Sequence, residues 1–112
     1  MNEDGKREHI EWAVESARKQ MIEKSNEIVE AMTRTTRDVK RLVEAYERGE
    51  ERFRGPMSAT QLAEQIQHEI LWLVPNLGLD TLTGIAAEAD DARETAERKI
   101  AAFEARKEES RG

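Results

Sequence analysis

The chain has 112 residues, carries a net charge of −6 at pH 7 and contains no cysteine. This length indicates a single domain with a thin core, and the lack of cysteine excludes disulfide bonds and thiolate metal sites. The acidic balance argues against a non-specific nucleic-acid-binding protein, whose binding face is basic. Charged residues make up 38% of the chain and only two prolines occur, which is typical of long helices rather than of sheets.

An uncharged stripe that advances in steps of three and four residues predicts a first helix over residues 6–48. The stripe consists of Ile10, Val14, Ala17, Met21, Ser25, Ile28, Met32, Thr35, Val39, Leu42, Tyr46, Gly49 and Phe53. No proline or glycine interrupts residues 6–48, and the Gly55-Pro56 pair marks a turn over residues 49–57. Three threonines between residues 33 and 36 lower the helix propensity, so any bend or fraying is expected there.

A second helix is predicted over residues 59–74. The preceding Ser58, followed three residues later by Gln61, has the form of a capping box, in which both side chains bond to free backbone amides. Pro75 ends this helix and opens a connector over residues 75–80.

A third helix is predicted over residues 81–106, with Asp80 placed to cap it and a frayed tail over residues 107–112. Its apolar seam consists of Leu82, Ile85, Ala89, Ala92, Ala96, Ile100 and Phe103. Alanine in the middle of this seam allows the backbone of a neighbouring helix to approach closely.

The combined length of the second and third helices nearly equals that of the first helix. The predicted fold class is therefore all-α: a long helical hairpin over residues 1–112, whose return arm is broken into two helices at Pro75. Two helices side by side bury only one seam, which leaves several large apolar residues outside it. These residues are Trp12, Ile22, Val29, Val43 and the turn Ile70–Val74. They predict a homodimer in which two hairpins form a four-helix bundle or coiled coil.

Two pairs of acidic residues are the nearest approach to a catalytic constellation. Glu27 with Glu30, and Glu88 with Asp91, resemble the pairs with which all-helical nucleotide pyrophosphatases hold Mg²⁺. The segment between the two pairs is longer than that family's pattern allows, and such spacings arise by chance in a chain with 24 acidic residues. The two histidines also lack the further ligands that a metal site needs. We therefore expect no enzymatic activity, no catalytic residue, no metal and no cofactor.

The first helix contains the one basic part of the chain. Arg34, Arg37 and Arg41 share a helix face, and guanidinium groups in such a row can hold phosphates bidentately. The favoured alternative is that these arginines form ion pairs with acidic neighbours on their own helix or with the acidic third helix, which would lie nearby in a dimer. Those neighbours are Asp38, Glu44 and Glu47.

The end of the second helix and the connector form a hydrophobic elbow. Its predicted partner-binding residues are Ile70, Leu71, Trp72, Leu73, Leu77, Leu79 and Leu82. A large apolar surface beside a bend is a common protein interaction site, and tryptophan is a frequent hot-spot residue. The alternative, which is slightly favoured, is that the elbow forms the core of the dimer.

The leading functional interpretation is a non-enzymatic helical protein–protein interaction module that docks through an apolar helical surface. Adaptors, scaffolds, antitoxins and inhibitors belong to this class, and the sequence does not identify the partner protein. The alternative is a dimeric nucleic-acid-associated regulator that uses Arg34, Arg37 and Arg41.

The sequence also predicts where the protein resides. The charged N-terminus lacks the apolar core of a secretory signal. The longest uncharged stretch with bulky side chains, Ile70–Leu79, is too short to span a membrane. We therefore expect a soluble, cytoplasmic protein that does not bind membranes.

Overall fold

The computed structural model describes residues 2–111 and contains three α-helices in that range. Helix α1 is Glu3–Glu47, a short 3₁₀ helix is Glu51–Phe53, α2 is Ser58–Asn76 and α3 is Leu79–Arg111. No strand occurs among residues 2–111. The predicted all-α class is therefore confirmed.

Helix α1 runs without interruption through the threonine-rich stretch in which a bend or fraying was expected. The Thr33 hydroxyl donates a 2.8 Å hydrogen bond to the Val29 carbonyl one turn earlier, which satisfies this polar group without interrupting the helix. The helix starts at Glu3, three residues before the predicted start. There the Asn2 side-chain oxygen accepts a 2.7 Å hydrogen bond from the Gly5 amide, which caps the first turn.

The C-terminus of α1 is closed by a Schellman motif. Gly49 adopts a φ of 67°, which favours glycine. Its amide donates to the Tyr46 carbonyl at 3.1 Å, and the Glu50 amide donates to the Ala45 carbonyl at 3.1 Å. These two bonds satisfy carbonyl groups that the end of a helix otherwise leaves free.

The uncharged stripe of α1 is shielded, but only shallowly. Leu42 and the stripe's last residue, Phe53, are buried, Met32 and Tyr46 are exposed, and the other stripe residues are half-buried. Ala45, which lies outside the predicted stripe, is fully buried beside Leu42. Helical periodicity thus predicted the packed face and missed its most deeply buried residue.

The predicted capping box at the start of α2 is wrong. The helix begins one residue earlier than predicted, so Ser58 is its first helical residue and Met57 occupies the cap position without a side-chain bond. The Gln61 amide donates instead to the Met57 carbonyl at 2.9 Å. The serine hydroxyl therefore lies beyond the position from which it could cap the helix.

The end of α2 also differs from the prediction, because the helix continues past Pro75 to Asn76. Proline lacks the backbone amide that would donate to the Leu71 carbonyl one turn earlier. The next carbonyl, of Trp72, accepts a 2.6 Å hydrogen bond from the Asn76 side-chain amide, which closes the end of the helix. The connector is consequently reduced to Leu77 and Gly78, in place of residues 75–80.

Helix α3 is longer than predicted at both ends. It starts at Leu79, so Asp80 lies in the first turn, where its charge favours the helix dipole, rather than at the cap. Residues 107–111, expected to fray, are helical, because strong helix formers fill this end. The last residue of the predicted tail, Gly112, lies outside the described residues.

Two glycines of this region make a matched pair for substitution by alanine. Gly78 has a φ of 62°, so Gly78→Ala is expected to destabilise the protein by about 1–2 kcal/mol. Gly84 lies inside α3, and a Cβ there would meet nothing within 4 Å. Gly84→Ala is therefore expected to stabilise the protein by about 0.5–1 kcal/mol. Urea unfolding followed by circular dichroism measures both changes, and equal effects at the two positions would contradict the assignment of the α2–α3 connector.

The contacts between residues divide the chain into two compact units, which are described separately, and the single domain expected from the chain length stays a prediction. Unit 2 comprises Ser25–Leu79. Its buried residues are Leu42, Ala45 and Phe53, against which Leu62 and Ile66 of α2 pack. The Phe53 ring meets Tyr46 edge-on at 6.1 Å between centroids and carries the Arg52 guanidinium 4.9 Å above its face.

Unit 1 combines the first part of α1, up to Lys24, with α3 from Asp80 onward. Ala92, Ala96 and Ile100 of the predicted seam are buried, whereas Phe103 is exposed. The Lys6 ammonium lies 2.7 Å from a carboxylate oxygen of Glu104 and joins the two helices. This hydrogen bond raises the pKa of Lys6 and lowers the pKa of Glu104, so both groups stay charged around neutral pH.

Candidate docking surface

The last two turns of α2 leave large apolar side chains open to solvent. Leu71 is 71% exposed and Trp72 is 63% exposed, and Ile70 and Val74 beside them are about half exposed. We call these four residues the α2 apolar face. Contiguous apolar surface of this kind marks interaction sites, because nothing in a lone chain shields it from water.

The other predicted elbow residues are placed differently. Leu73 and Leu77 are half-buried in unit 2, and Leu79, at the first position of α3, is exposed. Leu82 is half-buried and belongs to unit 1. Val74, which belongs to the same predicted apolar turn, is exposed and is part of the α2 apolar face.

A groove of about 350 Å³ in unit 2 runs between α1 and α2 beside this face. Its lining residues are Ala31, Arg34, Thr35 and Asp38 of α1 with Glu69, Trp72, Leu73 and Asn76 of α2. Trp72 and Arg34 therefore both line one site. The apolar elbow and the basic helix face, which the sequence suggested as separate sites, adjoin each other.

A second groove of about 290 Å³ continues the basic side of unit 2. It is lined by Val29, Glu30, Thr33, Arg34 and Arg37, all on α1. Since Arg34 lines both grooves, it marks the border between the apolar and the basic parts of this surface.

The basic residues of this surface have no acidic partners among residues 2–111 of the same chain. Arg34, Arg37 and Arg41 are exposed, and no carboxylate oxygen of residues 2–111 lies within 4.0 Å of their guanidinium nitrogens. Ion pairs with acidic neighbours on the same helix are therefore not formed, and pairing with the acidic third helix of a second copy stays a prediction. Helix spacing brings acidic residues near, but their side chains point into solvent without meeting the arginines. Three positive charges remain available to a partner.

Sequence reasoning missed the meeting of Arg34 with Trp72. The signal that could have found it is the distance from the turn: Arg34 lies 19 residues before Phe53, and Trp72 lies 19 residues after it. Two helices that leave a tight turn side by side bring such equidistant residues to the same level. In the sequence the elbow and the basic face are separate motifs, and only this alignment of the two helices relates them.

Unit 1 carries a third groove, of about 560 Å³, between the first part of α1 and α3. Small residues such as Ala13, Ser16 and Ala87 line it together with Trp12, which is 67% exposed. The His9 ring stacks on Trp12, with 6.1 Å between the ring centroids. The remaining lining residues are Ala17, Gln20, Glu88, Asp91, Thr95 and Lys99.

Two further features of the described residues concern metal binding and membranes. Within residues 2–111 no three histidine, aspartate or glutamate side chains converge to hold a metal ion. By length and composition, the segment Ser58–Ser110 contains one stretch apolar enough to cross a membrane, and none of that stretch is buried. The segment includes the α2–α3 connector with its left-handed Gly78. Its apolar residues are thus accessible surface on two separate helices.

The fold and the grooves together define an all-α protein of long helices with an exposed apolar and basic surface. Comparison with known protein families, with curated proteins and with solved structures finds no match. The function must therefore be argued from this surface.

Proposed function

We propose that the protein is a non-enzymatic helical interaction module that docks onto a protein partner through the α2 apolar face. The observation that carries this proposal is the exposure of Leu71 and Trp72 side by side on a well-formed helix. A tryptophan on a helix gains the most from burial in a partner's pocket and dominates the energetics of many interfaces. Adaptors, scaffolds, antitoxins and inhibitors all act by docking of this kind.

The arginines that border the α2 apolar face favour a partner with acidic groups around an apolar surface. Arg34 lies beside Trp72, and Arg37 follows it on the next turn of α1. An apolar partner surface bordered by carboxylates would bury the tryptophan and pair the free guanidinium groups at the same time. Charge complementarity of this kind speeds association and sets orientation.

The proposal extends to the arrangement of the helices. In it, α2 and α3 both return along α1 as the second arm of a hairpin, and two hairpins associate in a four-helix bundle. It is supported by the presence of part of α1 with α2 in unit 2, and of another part of α1 with α3 in unit 1. The shallow burial of the α1 stripe also favours further helices packing on it.

The docking function is tested by a double substitution, Leu71→Asp with Trp72→Asp, in an affinity pull-down from the native cell. The control is Phe103→Asp, which places the same charge at a similarly exposed apolar site on α3. The double variant is expected to lose the captured partner at least tenfold, because each charge would be buried against apolar surface. The control is expected to keep it. Unchanged capture by the double variant, with helix content intact by circular dichroism, would contradict the proposal.

A second candidate function is favoured by the unpaired arginines: a dimeric nucleic-acid-associated regulator that uses Arg34, Arg37 and Arg41. Free guanidinium groups in a row can engage successive phosphates, and Trp72 nearby offers a stacking surface. This candidate predicts a gel shift that weakens steeply with salt and disappears when the three arginines are changed to glutamate. An unaltered shift in that variant, or none with the wild-type chain, would contradict it.

A further inference from the structure

We infer that the partner of the α2 apolar face is a second copy of this chain, which presents the acidic part of its α3 and the groove around its Trp12. The inference rests on the proposed docking function and names its partner. The charges, the grooves and the surface area of a single chain support it.

Two segments of the chain carry opposite net charges, and no ion pair among residues 2–111 involves either of them. Residues 33–41 contain four basic side chains and one acidic side chain, a net charge of +3. Residues 80–97 contain six acidic side chains and one basic side chain, a net charge of −5. All these side chains are exposed, and across residues 2–111 none of them forms an ion pair. A second copy would supply each segment with its complement.

The apolar features of the same two regions are complementary too. The unit 1 groove has a lining of small residues and a volume of about 560 Å³, enough to receive projecting side chains. The charged residues on its α3 side are Glu88, Asp91 and Lys99, so the carboxylates outnumber the one basic group. On the other surface, Leu71 and Trp72 project from α2, with Arg34 beside them. Insertion of Leu71 and Trp72 into the groove would place the arginine near these carboxylates.

The surface area of the chain exceeds what a folded monomer of this mass exposes. The accessible surface is 8745 Å², whereas a typical monomer of 12.8 kDa exposes about 6,300 Å². The excess, about 2,400 Å², is larger than the ~800 Å² that each partner buries in an interface of standard size. An interface of standard size therefore fits within this excess.

Each chain offers both surfaces, so a two-fold symmetric pair of copies would form the same contact twice. We infer this reciprocal arrangement because it closes into a dimer and leaves neither surface unpaired. A nucleic acid would neutralise residues 33–41 but would be repelled by residues 80–97 and by the net charge of −6. A second copy satisfies both segments, which is why it is the occupant we name.

The test is a charge swap measured by sedimentation equilibrium on the full chain. The basic variant carries Glu88→Lys and Asp91→Lys, and the acidic variant carries Arg34→Glu and Arg37→Glu. The wild-type chain is expected to dimerise, and each variant alone is expected to dimerise roughly 100-fold more weakly because like charges then face each other. An equimolar mixture of the two variants is expected to recover the dimer, since both contacts are again complementary. Glu108→Lys with Glu109→Lys, an equal change of charge outside the segment, is expected to leave dimerisation unchanged.

Two results would overturn the inference: a monomeric wild-type chain of 12.8 kDa, and a mixture of variants that stays monomeric. If the wild-type monomer binds single-stranded DNA through the arginines, this surface is assigned to nucleic acid instead. A monomer that still captures a foreign protein through Leu71 and Trp72 would overturn the inference and leave the docking function standing. The docking function itself is contradicted if substitution of Leu71 and Trp72 changes neither dimerisation nor the capture of a partner.

Discussion

Phe53→Ala is expected to lower the free energy of unfolding by about 3–5 kcal/mol. Phe53 is 4% exposed and is the largest side chain in the small core of unit 2, where it contacts Tyr46 and supports Leu62 and Ile66 from α2. Alanine would leave a cavity that neither side of the turn can fill. Since a domain of this size has a total stability of about 5–15 kcal/mol, unit 2 would be close to unfolding at room temperature.

The chain contains its own control for this substitution. Phe103, the other phenylalanine, is 53% exposed on α3, so Phe103→Ala is expected to change stability by less than about 1 kcal/mol. Urea unfolding followed by circular dichroism compares the two variants. A loss at Phe103 as large as that at Phe53 would contradict the described core.

Ala96→Leu is the second substitution with a large expected effect, a destabilisation of about 1–3 kcal/mol. Ala96 is 3% exposed, between Ala92 and Ile100 on the face of α3 that is buried in unit 1. A leucine there adds three carbon atoms where the helices approach closely, so it must displace α1 or adopt an unfavourable rotamer.

The matched control for this overpacking is Ala105→Leu. Ala105 lies on the same helix and is exposed, so the same enlargement meets solvent and is expected to be nearly neutral. Hydrogen–deuterium exchange localises the effect: faster exchange in α3 and in the first part of α1 is expected only for Ala96→Leu. Equal protection in both variants would show that the alanine seam is not a packed interface.

The helices could be predicted from the sequence because their signals are local. The uncharged stripe defined α1, and the alanine seam identified the buried face of α3. Helix ends depend on competing hydrogen bonds, and here the predictions were less accurate. Ser58 was expected to cap α2, but the preceding turn shifted the helix start. Pro75 was expected to end α2, but the Asn76 side chain supplied a donor that holds the last turn.

The candidate site was predicted only in part, for a physical reason. Exposure of Leu71 and Trp72 follows from an apolar turn that α1 cannot cover on all sides. The position of Arg34 beside Trp72 depends on the register of two helices far apart in sequence, which composition and spacing alone do not express. Whether the arginines pair within the chain depends in turn on rotamers. The register of the two helices and the rotamers of the arginines together join the apolar and basic motifs into one surface.

If a second copy of the chain covers the α2 apolar face, photo-cross-linking from position 71 tests this contact most directly. A photoreactive phenylalanine analogue replaces Leu71, the most exposed residue of this face, and the purified full chain is irradiated and mapped by mass spectrometry. The account predicts an intermolecular product that joins position 71 to the region of Trp12 and residues 87–99 in a second copy. A product confined to single chains, with no cross-link to another molecule, would contradict it.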